Sequence, residues 1–352
     1  MIVFHRQSLL LPVCLIFLLL AIQAKAQSRV LYSAMSSSGR IAVSDRKYID
    51  IYDSDFVYQK TLTVIPPQEE VSNIELYWSP DETFLAVQKS GNGLGTHEVT
   101  EIWRVDTGEL LGVIPNNYFA VENTLVWHPD SQSLAVVMIV GFYVFEFRIY
   151  SIHGALLNTW ENVRGGLRQL VWSPDGQYIV MDVTNQLKLW DVGSESEIGT
   201  LSIMPYFNLP AFSPDGRYIA FTDLSYEGAG QDVQIWQVEP LRYVRTLTGA
   251  QRNIYALSWT TQGVMAANNA ADVKVWEPDT GEITRTISLG DVFNRMQDWS
   301  ADGIHILVSQ RDNTLIIRDT LNGDILASLT HEEWLAQHSL EISTPQPTTS
   351  SR

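Results

Sequence analysis

The chain has 352 residues, 45% of them hydrophobic, with 23 basic and 40 acidic side chains and a formal net charge of −17. Such a balance repels phosphate backbones and anionic lipid surfaces, so it disfavours nucleic-acid binding. A single cysteine, Cys14, leaves no basis for a disulfide framework.

The N-terminus reads "MIVFHRQSLLLPVCLIFLLLAIQAKAQS". His5 and Arg6 make a weakly basic start, Leu9 to Ile22 an apolar run of 14 residues, and Ala24-Lys25-Ala26 a small-x-small site. These are the parts of a secretory signal cleaved between Ala26 and Gln27. A spanning helix would need roughly 20 residues. The expectation is a signal peptide over 1–26 and an exported chain, periplasmic or extracellular, with no stable membrane insertion after cleavage. The alternative is a membrane anchor formed by an uncleaved N-terminal segment. Cys14 lies inside the apolar run and not after it, so lipidation is not expected. The mature chain keeps no cysteine, carries no Asn-x-Ser/Thr acceptor and has a net charge of −19, features that fit a bacterial envelope.

From Arg29 onward one phrase recurs. It reads "SAMSSSGRIAVSD", "LYWSPDETFLAVQ", "LVWHPDSQSLAVV", "LVWSPDGQYIVMD", "PAFSPDGRYIAFT", "LSWTTQGVMAANN" and "QDWSADGIHILVS". The anchors are Met35, Trp78, Trp127, Trp172, Phe212, Trp259 and Trp299, six intervals across 264 residues with a mean period of 44. A period of roughly 40–45 with several short strands per unit is that of a propeller blade. In each copy an alternating segment leads to the anchor, Ser-Pro-Asp-Gly turns the chain and a β-rich run follows. A third strand then ends on a bulky residue: "IDIYD", "TEIWRVD", "FRIYS", "LKLWD", "VQIWQ", "VKVWE" and "LIIRD". A second turn, such as "DTGE" at 106–109 or "LNGD" at 321–324, opens a fourth strand. The sequence therefore predicts an all-β fold over 27–330, a seven-bladed propeller with four antiparallel strands per blade. The tail over 331–352 is read as a short helix opened by a Thr330/Glu333 capping box, then a disordered Pro/Ser/Thr-rich end. Ring closure is left open between side contact and an overlapping strand, drawn from "SRVLYSA" or from the tail.

This pattern resembles the WD40-repeat β-propeller family, with degenerate repeats. Trp190-Asp191 is the one complete Trp-Asp dipeptide; Trp103, Trp236 and Trp276 keep the Trp, Tyr52-Asp53 and Arg318-Asp319 keep the Asp, and Tyr150-Ser151 keeps neither. The Gly-His pair that opens a standard repeat, and on which the family's Asp–His–Ser/Thr–Trp hydrogen-bond network rests, is missing; "TGAQ" at 248–251 comes nearest. The wording "FSPDGRYIAF" is also similar to propeller repeats of the TolB type. The resemblance implies a scaffold that different members use for unrelated tasks.

The sequence holds no Gly-x-Ser-x-Gly elbow, P-loop or dinucleotide fingerprint. His331 and His338 stand seven apart, without the Glu placement of a zinc protease. Asp81, Asp130, Asp175 and Asp215 are read as turn residues, and the periodic tryptophans as core between blades. No catalytic, metal or cofactor residues are assigned. Longer connections gather on the face opposite the tight turns, and Tyr118, Phe119, Tyr206, Phe207, Tyr226, Arg164 and Arg252 on that side are the candidate partner-binding residues. The expectation is a monomeric, non-enzymatic propeller that binds an unidentified protein partner and no nucleic acid. The alternatives are a small-ligand or glycan binder, and a hydrolase or lyase working at the channel mouth.

Overall fold

The computed structural model describes residues 31–64, 71–91, 98–116, 125–141, 144–164, 167–183, 186–203, 210–224, 231–250, 254–268, 272–289, 296–300, 302–310 and 312–341. The expected signal peptide and the expected disordered end lie outside these residues. Among these residues twenty-eight strands, β1 (Tyr32–Met35) to β28 (Ile325–Leu329), are followed by one helix, α1 (His331–Glu341). They form seven antiparallel sheets, each of four strands that are consecutive both in sequence and in space. The first strands of successive sheets touch one another all the way round, and the last of them, β25 (Met296–Trp299), returns to β1. The protein is a seven-bladed β-propeller with its first strands innermost, as the 44-residue period predicts.

Strand alternation builds the core between the blades and not within them. Ala34, Ala42, Ile49 and Ile51 of blade 1 pack against Ile74, Leu76, Leu85 and Val87 of blade 2. The same pattern recurs between blades 2 and 3, around Phe84, Ile102, Leu125 and Trp127, and between blades 6 and 7, around Val273, Val275, Ile306 and Val308. Each buried aliphatic side chain is worth about 1.5–3 kcal/mol. These clusters therefore outweigh any single interblade hydrogen bond, worth about 1 kcal/mol net. The anchor tryptophans belong to this packing: Trp127 and Trp172 are buried, while Trp78, Trp259 and Trp299 lie against the clusters.

The repeated turn is built the same way in blades 2, 4, 5 and 7. In blade 4 the Ser173 hydroxyl donates to Asp175 Oδ1 at 2.6 Å, the Gln177 N–H donates to the same oxygen at 3.0 Å, and the Tyr178 N–H donates to Ser173 Oγ at 2.8 Å. Ser79/Asp81, Ser213/Asp215 and Ser300/Asp302 repeat the pattern. The fourth turn residue has positive φ whatever its identity: Gly176 (73°) and Gly216 (71°), but also Glu82 (62°) and Ser131 (60°).

Closure uses no overlapping strand among the described residues. Tyr32–Met35, the end of the candidate N-terminal segment, is the inner strand of blade 1 itself. Blade 7 meets blade 1 through β25 and β1, and α1 continues from β28 to pack on blade 1. The predicted capping box opens this helix. The Thr330 N–H and hydroxyl both donate to Glu333 Oε2 at 2.8 Å, and the Glu333 N–H donates back to Thr330 Oγ1 at 3.1 Å.

Candidate functional site

An antiparallel four-stranded blade sends its first and third turns to one face, and its middle connection and the link to the next blade to the other. The two faces differ in charge. The first and third turns of the seven blades together hold fifteen acidic side chains against two basic ones, Arg40 and Arg217. By sequence the connections on the opposite face hold seven acidic and five basic residues. Most of the chain's excess negative charge is thus carried by the tight-turn face.

The turn carboxylates form no convergent chemical site. Burial acts to raise the Asp81 carboxyl, but the Thr83 N–H and the Ser79 hydroxyl outweigh it and hold the group below its ordinary value. Asp215 and Asp302 are held down in the same way, against burial, by Ser213 with Arg217 and by Ser300 with Ile304. These are ionised turn locks, unsuited to proton transfer at neutral pH. Asp130 plays the corresponding part in blade 3, accepting from the Gln132 N–H at 2.8 Å.

An open depression of about 430 Å³ lies on this face between blades 1 and 2, lined by Arg40, Asp53, Gln59, Lys60 and Asp106. Its polar groups largely satisfy one another. Lys60 Nζ donates to the Asp106 carbonyl at 2.6 Å, Gln59 Nε2 donates to Asp53 Oδ2 at 3.0 Å, and Arg40 lies 3.9 Å from the Asp106 carboxylate.

Three of the four third-strand tryptophans are tied by residues that the family resemblance does not supply, while the indole nitrogen of Trp190 is buried without a hydrogen bond. The indole N–H of Trp103 donates to Glu101 Oε2, and that of Trp236 to Gln234 Oε1, each at 3.0 Å and each two residues back on its own strand. Trp276 instead donates to the Thr248 carbonyl at 2.9 Å, at the start of "TGAQ". The charged or amide residue two before the Trp is the visible signal that stands where the usual network would be. Behind it lies the buried ion pair of Lys89 Nζ with Glu101 Oε1, 2.7 Å apart.

By sequence, the candidate partner-binding residues belong to the following connections. Tyr118 and Phe119 belong to the connection between blades 2 and 3, Tyr206 and Phe207 to that between blades 4 and 5, Arg252 to that between blades 5 and 6, and Tyr226 to the middle connection of blade 5. These six lie outside the described residues. Arg164 ends the fourth strand of blade 3 (Leu156–Arg164), paired in register with Val144.

The described histidines do not converge on one metal-binding group. His128 and His153 occupy two turns of blade 3, and His305 begins the second strand of blade 7. On α1 the Trp334 ring stacks with His331 at 6.3 Å and packs at a tilt against His338 at 4.2 Å. Among the described residues no group of three or more His, Cys, Asp or Glu is arranged to hold a metal ion. Among the same residues no helix is long and apolar enough to cross a membrane.

No protein-family profile matches the chain. It is similar to a WD repeat-containing protein 26 homolog of Arabidopsis thaliana, 21% identical over 253 residues, which are 69% of this chain and 40% of that protein. The match thus spans about two fifths of the relative's length. Among solved structures, the chain is similar to one in the crystal structure of the mitotic checkpoint complex, with a TM-score of 0.62 and 17% identity over 82% of this chain and 86% of that one. It is also similar to the β-propeller domain of Myceliophteria thermophila Cps50 (Swd1), with a TM-score of 0.61 and 12% identity over 81% and 94% of the two chains. The likeness is one of fold: a seven-bladed propeller of the WD40 type.

Proposed function

We propose that the protein is an exported, non-enzymatic scaffold of a bacterial envelope or the surrounding medium, which binds a protein partner through the face of longer connections. The observation that carries this reading is the contrast between the faces. On the turn face the carboxylates are spent on their own turns and the excess charge is strongly negative. By sequence, the connections opposite have near-balanced charge and include longer pieces that hold the aromatic residue types of which interface anchors are made. A structural neighbour taken from a multi-protein assembly supports the same use of the fold. The 14-residue apolar run and its small-x-small site support export.

The test uses residues 27–352, tagged and captured from the envelope fraction of the native cell, beside a variant carrying Tyr118→Ala, Phe119→Ala, Tyr206→Ala and Phe207→Ala. The expected result is a partner held by the wild type and lost by a folded variant. Retention of every partner by that variant contradicts the face assignment.

A further inference from the structure

We propose that α1 is a detachable strap on the seam between blades 7 and 1, one that lifts and reseats while the seven blades stay folded.

The helix follows β28 of blade 7, yet it sits on the third strand of blade 1, β3 (Tyr48–Tyr52). Alternation along β3 sends Ile49 and Ile51 into the blade 2 interface and leaves Tyr48 and Tyr52 for the helix. Rings and one hydroxyl make the seat. Tyr48 stacks on His338 at 4.2 Å and meets the Trp334 ring at 6.1 Å, and the Tyr52 hydroxyl donates to Gln337 Oε1 at 3.1 Å. Trp334 is fully buried, and among the described side chains of α1 it is the only buried apolar one.

Polar atoms on the same side of the helix oppose the seat. His331, Trp334, Gln337 and His338 recur at helical spacing and so share one face. Each leaves a side-chain nitrogen buried without a hydrogen bond: Nε2 of His331, Nε1 of Trp334, Nε2 of Gln337 and Nε2 of His338. His338 Nε2 lies 2.9 Å from Asp50 Oδ2, but the two make no hydrogen bond. A buried polar nitrogen without a hydrogen bond forfeits the bonds it makes with water, and lifting α1 returns them. Docking is thus the narrow balance of one buried indole and its ring contacts against four stranded polar groups.

The blades do not depend on that balance. Each is a sheet of four hydrogen-bonded strands, and a joint such as that between blades 1 and 2 buries aliphatic side chains from both sides, Ile49 and Ile51 against Ile74, Leu76, Leu85 and Val87. Blades 7 and 1 also meet directly through β25 and β1, a contact that needs no helix. An isolated helix of 11 residues is marginal in water, so a lifted α1 frays and its amides exchange with solvent.

Native-state hydrogen exchange of the full chain at fixed pH, read by mass spectrometry in rising, sub-denaturing urea, tests the proposal. Protection over 331–341 is expected to lie at least about tenfold below that of the blade 4 strand Tyr178–Val183. It should also vary little with urea, because lifting the strap exposes little surface. His331→Phe keeps a ring stacked on Trp334 and removes one stranded nitrogen, so it should slow exchange over 331–341 severalfold. Trp334→Ala should abolish protection there in a chain that still folds. Should His331→Phe fail to fold, the wild type and Trp334→Ala decide. Exchange over 331–341 in step with the blade strand through the urea series overturns the proposal. So does a Trp334→Ala chain that cannot fold, or a folded His331→Phe chain that exchanges no more slowly.

Discussion

The backbone N–H of Met35 in blade 1 donates to Asp298 Oδ2 in blade 7 at 3.1 Å, across 263 positions of sequence. At the next two joints, between blades 1 and 2 and between blades 2 and 3, the bond runs the other way. The indole of Trp78 reaches back to the Ala34 carbonyl at 3.2 Å and that of Trp127 to the Tyr77 carbonyl at 2.9 Å, each to the residue before the preceding blade's anchor. Asp298 occupies that same position before its own anchor. Blade 1 has Met35 where the others have an aromatic anchor, so no indole can reach back. At the seam the carboxylate reaches forward instead.

This arrangement makes an unusual pH dependence. Burial pushes the Asp298 carboxyl up to about 6, against the bonds from the Trp299 and Met35 N–H groups. The folded state thus binds this proton more tightly than the unfolded state does. The contribution is present in acid and is lost as the pH rises through about 6, the reverse of the ordinary carboxylate. Asp81, Asp215 and Asp302 act in the usual sense, their contributions fading as the pH falls. Comparison of the wild type with Asp298→Asn isolates the seam. Urea unfolding at pH 4.5 and 7.5 should show the wild type losing about 1–3 kcal/mol relative to the variant on going to the higher pH.

Two glycines at the same turn position should respond differently to alanine. Gly216 has a φ of 71° and room for a Cβ, with Pro174 Cδ the nearest atom at 3.6 Å, so Gly216→Ala should cost about 1 kcal/mol through backbone strain alone. Gly176 has the same φ, but its Cβ would collide with the His128 imidazole, which is itself packed edge-on to Trp172 at 4.6 Å. Gly176→Ala should cost about 1–3 kcal/mol more. Chemical denaturation of the two variants side by side checks the ordering.

The blade-to-blade indole bond has a measurable value. Trp127→Phe keeps most of the buried ring and its stacking on Phe84 at 6.1 Å but removes the donor to Tyr77 O. The expected loss is about 1–2 kcal/mol, with the orphaned carbonyl setting the upper end. Thermal unfolding of the full chain reads it directly.

What the sequence reveals follows from how local each feature is. A blade is a contiguous unit of about 44 residues, so its turns, its anchors and its aromatic third strand recur in plain view. The Thr330/Glu333 box is likewise complete within four residues. Closure is not local. Asp298 differs from Ala34 and Tyr77 by one letter in an aligned column, and nothing near it in sequence points to Met35. The seat of α1 is hidden for the same reason: Asp50 reads as a polar residue in a short strand until His338, 288 positions later, is placed against it. The Trp103–Glu101 and Trp236–Gln234 bonds were within reach, because both partners sit two apart on one strand.

On the proposed function, the face of longer connections is the working face. The most direct measurement is hydrogen exchange of the captured partner complex against the free protein. New protection is expected in the connections at 117–124, 204–209 and 225–230, with the turns at 79–83, 173–177 and 213–217 unchanged. Protection confined to those turns would place the partner on the acidic face and rule out the face of longer connections as the binding surface.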